Sequence, residues 1–384
     1  MSSEDDWSRS QALELAHHSG YAPLDLSQGV AADAPPTIAD PADVPSATAE
    51  YPPSAGSAEL RSAITRYFQR RYQVTLPLDA VAACVGAKEF ISTLPSFLRD
   101  ATRSGNRDTV LVPALGYPPY VFGARLAGLR AYRVPTDRDF RMALDRLPSE
   151  VASRALCLWV NSPANPTGVV EPLDLIAGWG RRHSVPVLSD EVYVDLTWRH
   201  EPRTVLQSGL DGVIAVHSLA KRSNAPGLRV GLYAGDLDLL AGLIPRRRAA
   251  GLMAAAPMQV VAARLLDDDR HADQQRERSA RRLSGLVGLL NEHGFSCAHP
   301  DGGLFAWFPA PGGDGPRFAR LAALTAGVIV MPGSEYGPTG RGYVRIAAAH
   351  DPEVVAPRIA LLAGIDASGL RQSTPTSSPS SPGA

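Results

Sequence analysis

Lysine is almost missing from this chain of 384 residues: among 38 basic side chains only Lys88 and Lys221 are lysine, and the rest are arginine. Where a positive charge is all that is needed, the chain uses guanidinium. A lysine surviving in such a background is a candidate for work guanidinium cannot do, forming an imine or acting as a free amine. The bland alternative is two lysines left by compositional drift. Cysteine is scarce as well. Cys84, Cys157 and Cys297 are far apart and odd in number, which argues against a disulfide framework and against a zinc site. No apolar run approaches membrane-spanning length. The opening Met1-Ser2-Ser3-Glu4-Asp5-Asp6 is polar and acidic, the opposite of a secretory leader, so a cytoplasmic protein is expected. The formal net charge is only −1, and neither nucleic acid nor a membrane surface is an expected partner. No G-x-G-x-x-G or P-loop is present, which removes the main support for a nucleotide-binding enzyme.

What is present describes a globular enzyme of two packed domains, with 45% hydrophobic residues. Residues 1–46 are irregular and rich in Ala, Asp and Pro, and read as an arm packing with a small domain. Residues 47–266 read as a large domain, 267–369 as a small α+β domain, and 370–384 as a disordered Ser/Pro/Thr tail. A helix is expected from Ser57, a plausible N-cap, with Leu60, Ile64, Tyr67 and Phe68 on one face. Beyond it the apolar runs Val81–Val85, Thr109–Val112, Ala155–Val160, Val185–Leu188, Val213–Val216 and Arg229–Ala234 alternate with helical stretches such as Glu89–Leu98 and Leu173–Arg182. That alternation predicts an α/β fold, a mainly parallel sheet flanked by helices. From about Asp267 a long Arg/Gln-rich helix to about Glu292 precedes two or three strands, a helix near Phe318–Thr325 and a last helix after Asp351-Pro352.

Ligands of open α/β sheets sit beyond the carboxyl ends of the strands. Gly86-Ala87-Lys88-Glu89 opens a helix there, and its small residues and free N–H groups suit an anion, although an ordinary tight turn reads the same way. Tyr117, in Gly116-Tyr117-Pro118-Pro119-Tyr120, could stack on a planar ring or simply fill a turn. Asn161-Ser162-Pro163-Ala164-Asn165-Pro166-Thr167-Gly168 is more specific, because a turn rarely needs two Asn, two Pro and Gly in this order. Asp190, in Ser189-Asp190-Glu191-Val192-Tyr193, ends a buried strand and is either a helix cap or the partner of a buried cation. Ser218-Leu219-Ala220-Lys221, with Arg229 downstream, places a hydroxyl and a guanidinium around one of the two lysines; His217 beside it reads as structural. Arg345, in an apolar strand, wants a carboxylate that is either substrate or a structural acid.

In this order, over about residues 20 to 365, these motifs resemble the fold-type-I class I/II aminotransferases, which depend on pyridoxal 5′-phosphate. The resemblance implies that Lys221 holds the cofactor as a Schiff base and that Asp190 keeps its pyridine nitrogen protonated. Tyr193 and Asn165 would bond the ring's phenolic oxygen, and Tyr117 would stack on the ring. Ser218 and Arg229, with the amides of Gly86-Ala87-Lys88, would form the phosphate cup. Arg345 with Asn165 would take the substrate carboxylate, and Gly29 would line the substrate pocket. Tyr51 would reach the neighbouring subunit's phosphate, which implies a homodimer.

Within the family the chain is similar to bacterial succinyldiaminopimelate aminotransferases. The matching stretches include Gly86-Ala87-Lys88-Glu89, Tyr117-Pro118-Pro119-Tyr120, Ala256-Pro257-Met258-Gln259 and Tyr336-Gly337-Pro338. It departs from the family at Ala220, where a serine is usual, and after Gly29, where a proline is usual. The expected reaction moves an amino group between an amino acid and a 2-oxo acid, with N-succinyl-diaminopimelate and 2-oxoglutarate/glutamate as the model pair. A lyase, cyclase or γ-replacement enzyme of specialised metabolism on the same scaffold is the alternative. A cofactor-sensing transcription regulator would need a DNA-binding domain for which the first 46 residues are too short and Pro-rich.

Overall fold

The computed structural model describes residues 7–36, 51–102 and 107–365. The rest of the expected arm and the expected tail lie outside them. The first half comprises α1 (Arg9–His17), β1 (Leu24–Asp25), α2 (Ala58–Tyr72), β2 (Val81–Cys84), α3 (Ala87–Thr102), β3 (Thr109–Pro113), α4 (Pro119–Leu126), β4 (Arg130–Val134), α5 (Ser149–Ser153), β5 (Ala155–Asn161) and α6 (Leu173–His183). It continues with β6 (Val187–Asp190), β7 (Val213–Ser218), α7 (Leu219–Arg222), β8 (Gly231–Gly235), α8 (Leu237–Ala249), α9 (Ala256–Asp267) and α10 (Asp269–Glu292). The C-terminal elements are β9 (Phe305–Pro309), α11 (Gly315–Ala326), β10 (Val328–Ile329), β11 (Met331–Pro332), β12 (Tyr343–Ala347) and α12 (Pro352–Leu362).

Seven strands form one sheet in the order β2-β8-β7-β6-β5-β3-β4, parallel except that β8 runs against both of its neighbours. Both faces are covered, which is why these strands read as unbroken apolar runs. Leu111, Leu158 and Val160 point to one core, and Val110, Val112, Cys157 and Trp159 to the other, in the two-residue alternation of a strand. The Ser57 hydroxyl accepts from Leu60 N and caps α2, whose buried face carries the expected Leu60, Ile64, Tyr67 and Phe68. A second sheet, β11-β12-β9, is antiparallel and packs with α10, α11 and α12 around a separate core that includes Phe308, Phe318, Val344 and Ile359.

The structure corrects the sequence reading in several places. Residues 9–17 are helical rather than irregular: Ser8 forms a reciprocal capping box with Gln11, and Ala12 and Ala16 pack on Ala323 and Ile329. Beyond this helix β1 pairs in parallel with β10, and Leu26 continues the ladder to Ile329 and Ala347. Strand β4 lies at the sheet edge with its first residue exposed, so Arg130–Val134 lacks the apolar run that betrays a buried strand. Val85 and Arg229 fall outside the strands assigned to them, and the long helix begins at Asp269, after a separate α9. Among the described residues, no helix is long and apolar enough to cross a membrane, and no cluster of His, Cys, Asp or Glu could hold a metal ion.

Candidate active site

Neighbouring strand ends bring the chemistry together. Asn161 at the end of β5 pairs in register with Asp190 at the end of β6, which pairs with β7 just before Ser218. A cavity of about 500 Å³ opens there, lined by Gly29, Ala87, Lys88, Tyr117, Asn165, Asp190, Tyr193, Ser218, Lys221, Arg229 and Arg345. These are the residues expected from the sequence, apart from Gly86 and Tyr51.

At one end the cavity is built for an anion. The first turn of α3 presents its free N–H groups beside Arg229. Gly86 stands directly behind: a Cβ there would come within 2.5 Å of the Arg229 guanidinium, and its φ of +81° favours glycine. Glu89 in the same turn would repel an anion, but its carboxylate is drawn away by Arg247, which donates to both oxygens at 3.0 and 2.8 Å, and by Val85 N at 3.2 Å. Ser218 caps α7 by accepting from Ala220 N, which leaves its own proton free to donate into the cavity.

Lys221 lies on the short helix α7. Its Nζ donates to the Gly29 carbonyl at 2.5 Å and lies 5.9 Å from the centroid of the Tyr193 ring. Burial, helped by the positive charge of Arg345, brings the amine down from its ordinary 10.5 to about 8, so about a tenth of it is neutral at pH 7. Replacing Arg345 by leucine removes one of those positive charges and is expected to raise the titration midpoint of Lys221. Trinitrophenylation of the cofactor-free protein as a function of pH, read at the Lys221 peptide, checks this; an unchanged or lower midpoint would contradict it.

Asp190 is buried, and burial pushes its carboxyl up to about 6 against hydrogen bonds from Tyr120 and from Val192 N. Asn161 fastens the surroundings: its amide donates to the Asp190 carbonyl at 2.8 Å, and its oxygen accepts from Asn165 N at 2.7 Å. Asn165 Oδ1 in turn accepts from Arg345 at 2.8 Å, and Arg345 also donates to the Ser27 carbonyl. The guanidinium lies 3.8 Å from the centroid of the Phe305 ring, while its Nε is buried without a partner among the described residues. An incoming carboxylate would satisfy that fork. Tyr193 is buried with its ring edge-on to Phe305, and burial holds its phenol protonated. Tyr117 is half-buried, with Lys88 Nζ 5.8 Å from its ring centroid.

Gly29 is tightly enclosed, because a Cβ would sit 2.6 Å from the Phe305 ring, which Arg345 backs at 3.8 Å. Gly29→Ala is therefore expected to cost about 1–3 kcal/mol through overpacking. Urea unfolding measures that loss, and wild-type stability would show that Phe305 can retreat.

Tyr51 is not brought to this cavity; its side chain is 93% exposed. Sequence reasoning missed Ser27, Ile91, Tyr120, Phe305, Met331, Glu335 and Tyr336, all of which line the cavity except Tyr120, which braces Asp190. Apolar strand residues such as Phe305 and Met331 carry no signal that separates a pocket wall from a core. His217 lies beneath the cavity, between Tyr67 and Glu191, where it bonds both.

The cavity thus holds an anion cup, a weakly basic amine, a buried carboxylate, an open aromatic face and a second guanidinium with a donor to spare. That donor set fits pyridoxal phosphate with an amino acid beside it. Comparisons with known proteins agree. The model for "Aminotransferase class I and II" matches residues 23–360. A probable aminotransferase of Mycobacterium tuberculosis is 40% identical over 92% of this chain and 82% of its own length. The 4-dedimethylamino-4-oxo-anhydrotetracycline transaminase of Streptomyces rimosus is 37% identical over 90% of this chain and 94% of its own. Among solved structures, a probable N-succinyldiaminopimelate aminotransferase from Thermus thermophilus superposes with a TM-score of 0.83 at 26% identity, covering 92% of this chain and 98% of that one. The chain belongs to the class I and II aminotransferases, pyridoxal-phosphate enzymes of fold type I.

Proposed function

We propose that this aminotransferase acts on an α-amino acid with a long polar side chain, with N-succinyl-diaminopimelate as the model donor and 2-oxoglutarate as the acceptor. The observation that carries this reading is the Arg345–Asn165 fork facing the same cavity as Lys221. The Arg345 guanidinium would hold an α-carboxylate while the amine works on the adjacent carbon. The Thermus thermophilus structure supports the diaminopimelate type of substrate.

When bound, pyridoxal phosphate supplies an electrophilic aldehyde and a ring that withdraws electrons from the reacting carbon. Lys221 would hold the aldehyde, and its amine, when free, would move a proton at the substrate α-carbon. Asp190 holds the proton at the ring nitrogen. Tyr193 and Asn165 would donate to the ring's phenolic oxygen, and Tyr117 would shield the ring from water. Arg229, Ser218 and the amides of Gly86, Ala87 and Lys88 bind the phosphate. Tyr51 of the partner subunit completes that cup in a homodimer, which accounts for an aromatic left almost fully exposed in a single chain.

The Streptomyces relative favours a second reading, a transaminase of specialised metabolism whose acceptor is a bulky ketone. Phe305, Met331, Ile91 and Tyr336 offer an apolar wall for such a molecule. A donor and acceptor screen with products identified by mass decides between them. Succinyldiaminopimelate turnover with 2-oxoglutarate supports the first reading; turnover confined to polycyclic ketones overturns it.

A further inference from the structure

The buried carboxylate at the floor of the cavity is held by a side chain that does not line it. Tyr120, on α4, donates from its phenol to Asp190 Oδ2 at 2.6 Å, and both side chains are buried. Its position is well determined. The ring stacks on Trp159 with centroids 5.3 Å apart at 21°, and it meets Tyr117 edge-on at 6.0 Å. Its amide is tied to the Tyr117 carbonyl at 3.1 Å. The same turn therefore carries the aromatic face of the cavity and the brace behind its acid.

We propose that Tyr120 is a positioning residue that keeps Asp190 ionised and aimed at the cofactor's ring nitrogen. The inference rests on the role given to Asp190 under the proposed function. The physical need is plain, because a carboxylate without water must be stabilised by hydrogen bonds or it takes up a proton. Asp190 Oδ1 accepts only from Val192 N, at 3.3 Å, so the phenol is its one short donor among the described residues. The charges around it do not replace that donor. Glu191 on the same strand end opposes ionisation, whereas His217 on β7 favours it. Tyr117, Tyr193 and Lys221 line the same cavity; burial keeps both phenols protonated, and Lys221 would hold the aldehyde in the loaded enzyme. Were Asp190 protonated, the ring nitrogen would lose its anionic partner and its own proton with it. A carboxylate accepts at about four lone-pair sites, so the two bonds present leave room for the ring N–H.

The test uses the holoenzyme as purified, loaded with pyridoxal phosphate labelled with ¹⁵N in the ring. In wild type the ¹⁵N shift should report a protonated nitrogen across the neutral range. In Tyr120→Phe, which keeps the ring and its stacking on Trp159, the shift should move toward the unprotonated position. The kcat should fall about 10- to 100-fold, the scale of a lost hydrogen bond to a charged group, with KM for the amino donor within about 2-fold. Tyr120→His, which restores a ring N–H donor, should recover the protonated shift, and it carries the test if the phenylalanine variant does not fold. An unchanged ¹⁵N shift in Tyr120→Phe, or an unprotonated one in folded Tyr120→His, overturns the proposal. Asp190→Ala separates the two layers: if the nitrogen stays protonated without Asp190, the assignment of Asp190 itself fails.

Discussion

Lys221→Arg is expected to lose more than about 10⁴-fold in kcat, because the change removes both the attachment of the cofactor and the base that moves the proton. Arginine keeps the positive charge at a position where the Gly29 carbonyl already accepts from a cation, so the fold should tolerate it. Guanidinium neither forms the imine nor gives up its proton near neutral pH. The companion experiment is borohydride reduction of the wild-type enzyme followed by peptide mapping. The cofactor should be fixed to the peptide containing Lys221. Lys88, the other lysine of the chain, is the control: it lies at the start of α3 over the Tyr117 ring, in the same cavity. A label on Lys88, or turnover by Lys221→Arg within about 10-fold of wild type, would remove the site assignment.

Asp190→Ala is expected to lose about 10² to 10³-fold in kcat while still retaining the cofactor. Binding should survive because the anion end of the cavity is built from separate elements, the α3 amides, Ser218 and Arg229. The rate should fall because the neighbouring acid cannot substitute: Glu191 is turned toward His217 and Val205 N. Stopped-flow spectra with the amino donor, alongside equilibrium binding of the cofactor, separate the two effects. Activity close to wild type would show that Asp190 is a structural strand-end acid and nothing more.

The fold was legible where strands are buried on both faces. Ala155–Val160 and Val213–Val216 read as apolar runs because helices cover them, and the structure extends each only to the cavity-lining residues Asn161 and Ser218 at their ends. Strand β4 escaped because an edge position tolerates Arg130 and Arg133 among its five residues, which leaves no apolar run to read. Helix α1 escaped because it owes its stability to two small alanines packed on Ala323 and Ile329 rather than to a broad apolar face. In the site, residues whose chemistry is unusual for their surroundings were readable one by one: a lysine in an arginine-rich chain, an acid at the end of an apolar strand, an arginine within one. Those that act by shape were not. Phe305 supports Arg345 and limits Gly29, yet its sequence context is that of any core strand. Tyr120 was visible only as the end of a turn motif, since the bond that gives it meaning joins α4 to β6 across 70 positions of the chain.

A lyase or cyclase on the same scaffold would differ from an aminotransferase in stoichiometry. An aminotransferase must keep the amino group it takes until a 2-oxo acid removes it. The direct measurement is the cofactor's absorption while the correct amino acid is added with no 2-oxo acid present. The expected result is one conversion per active site to the aminated cofactor, release of one equivalent of 2-oxo acid, and full recovery of the original spectrum on adding 2-oxoglutarate. Many turnovers of the amino acid without any 2-oxo acid, leaving the spectrum of the resting enzyme in place, would contradict it.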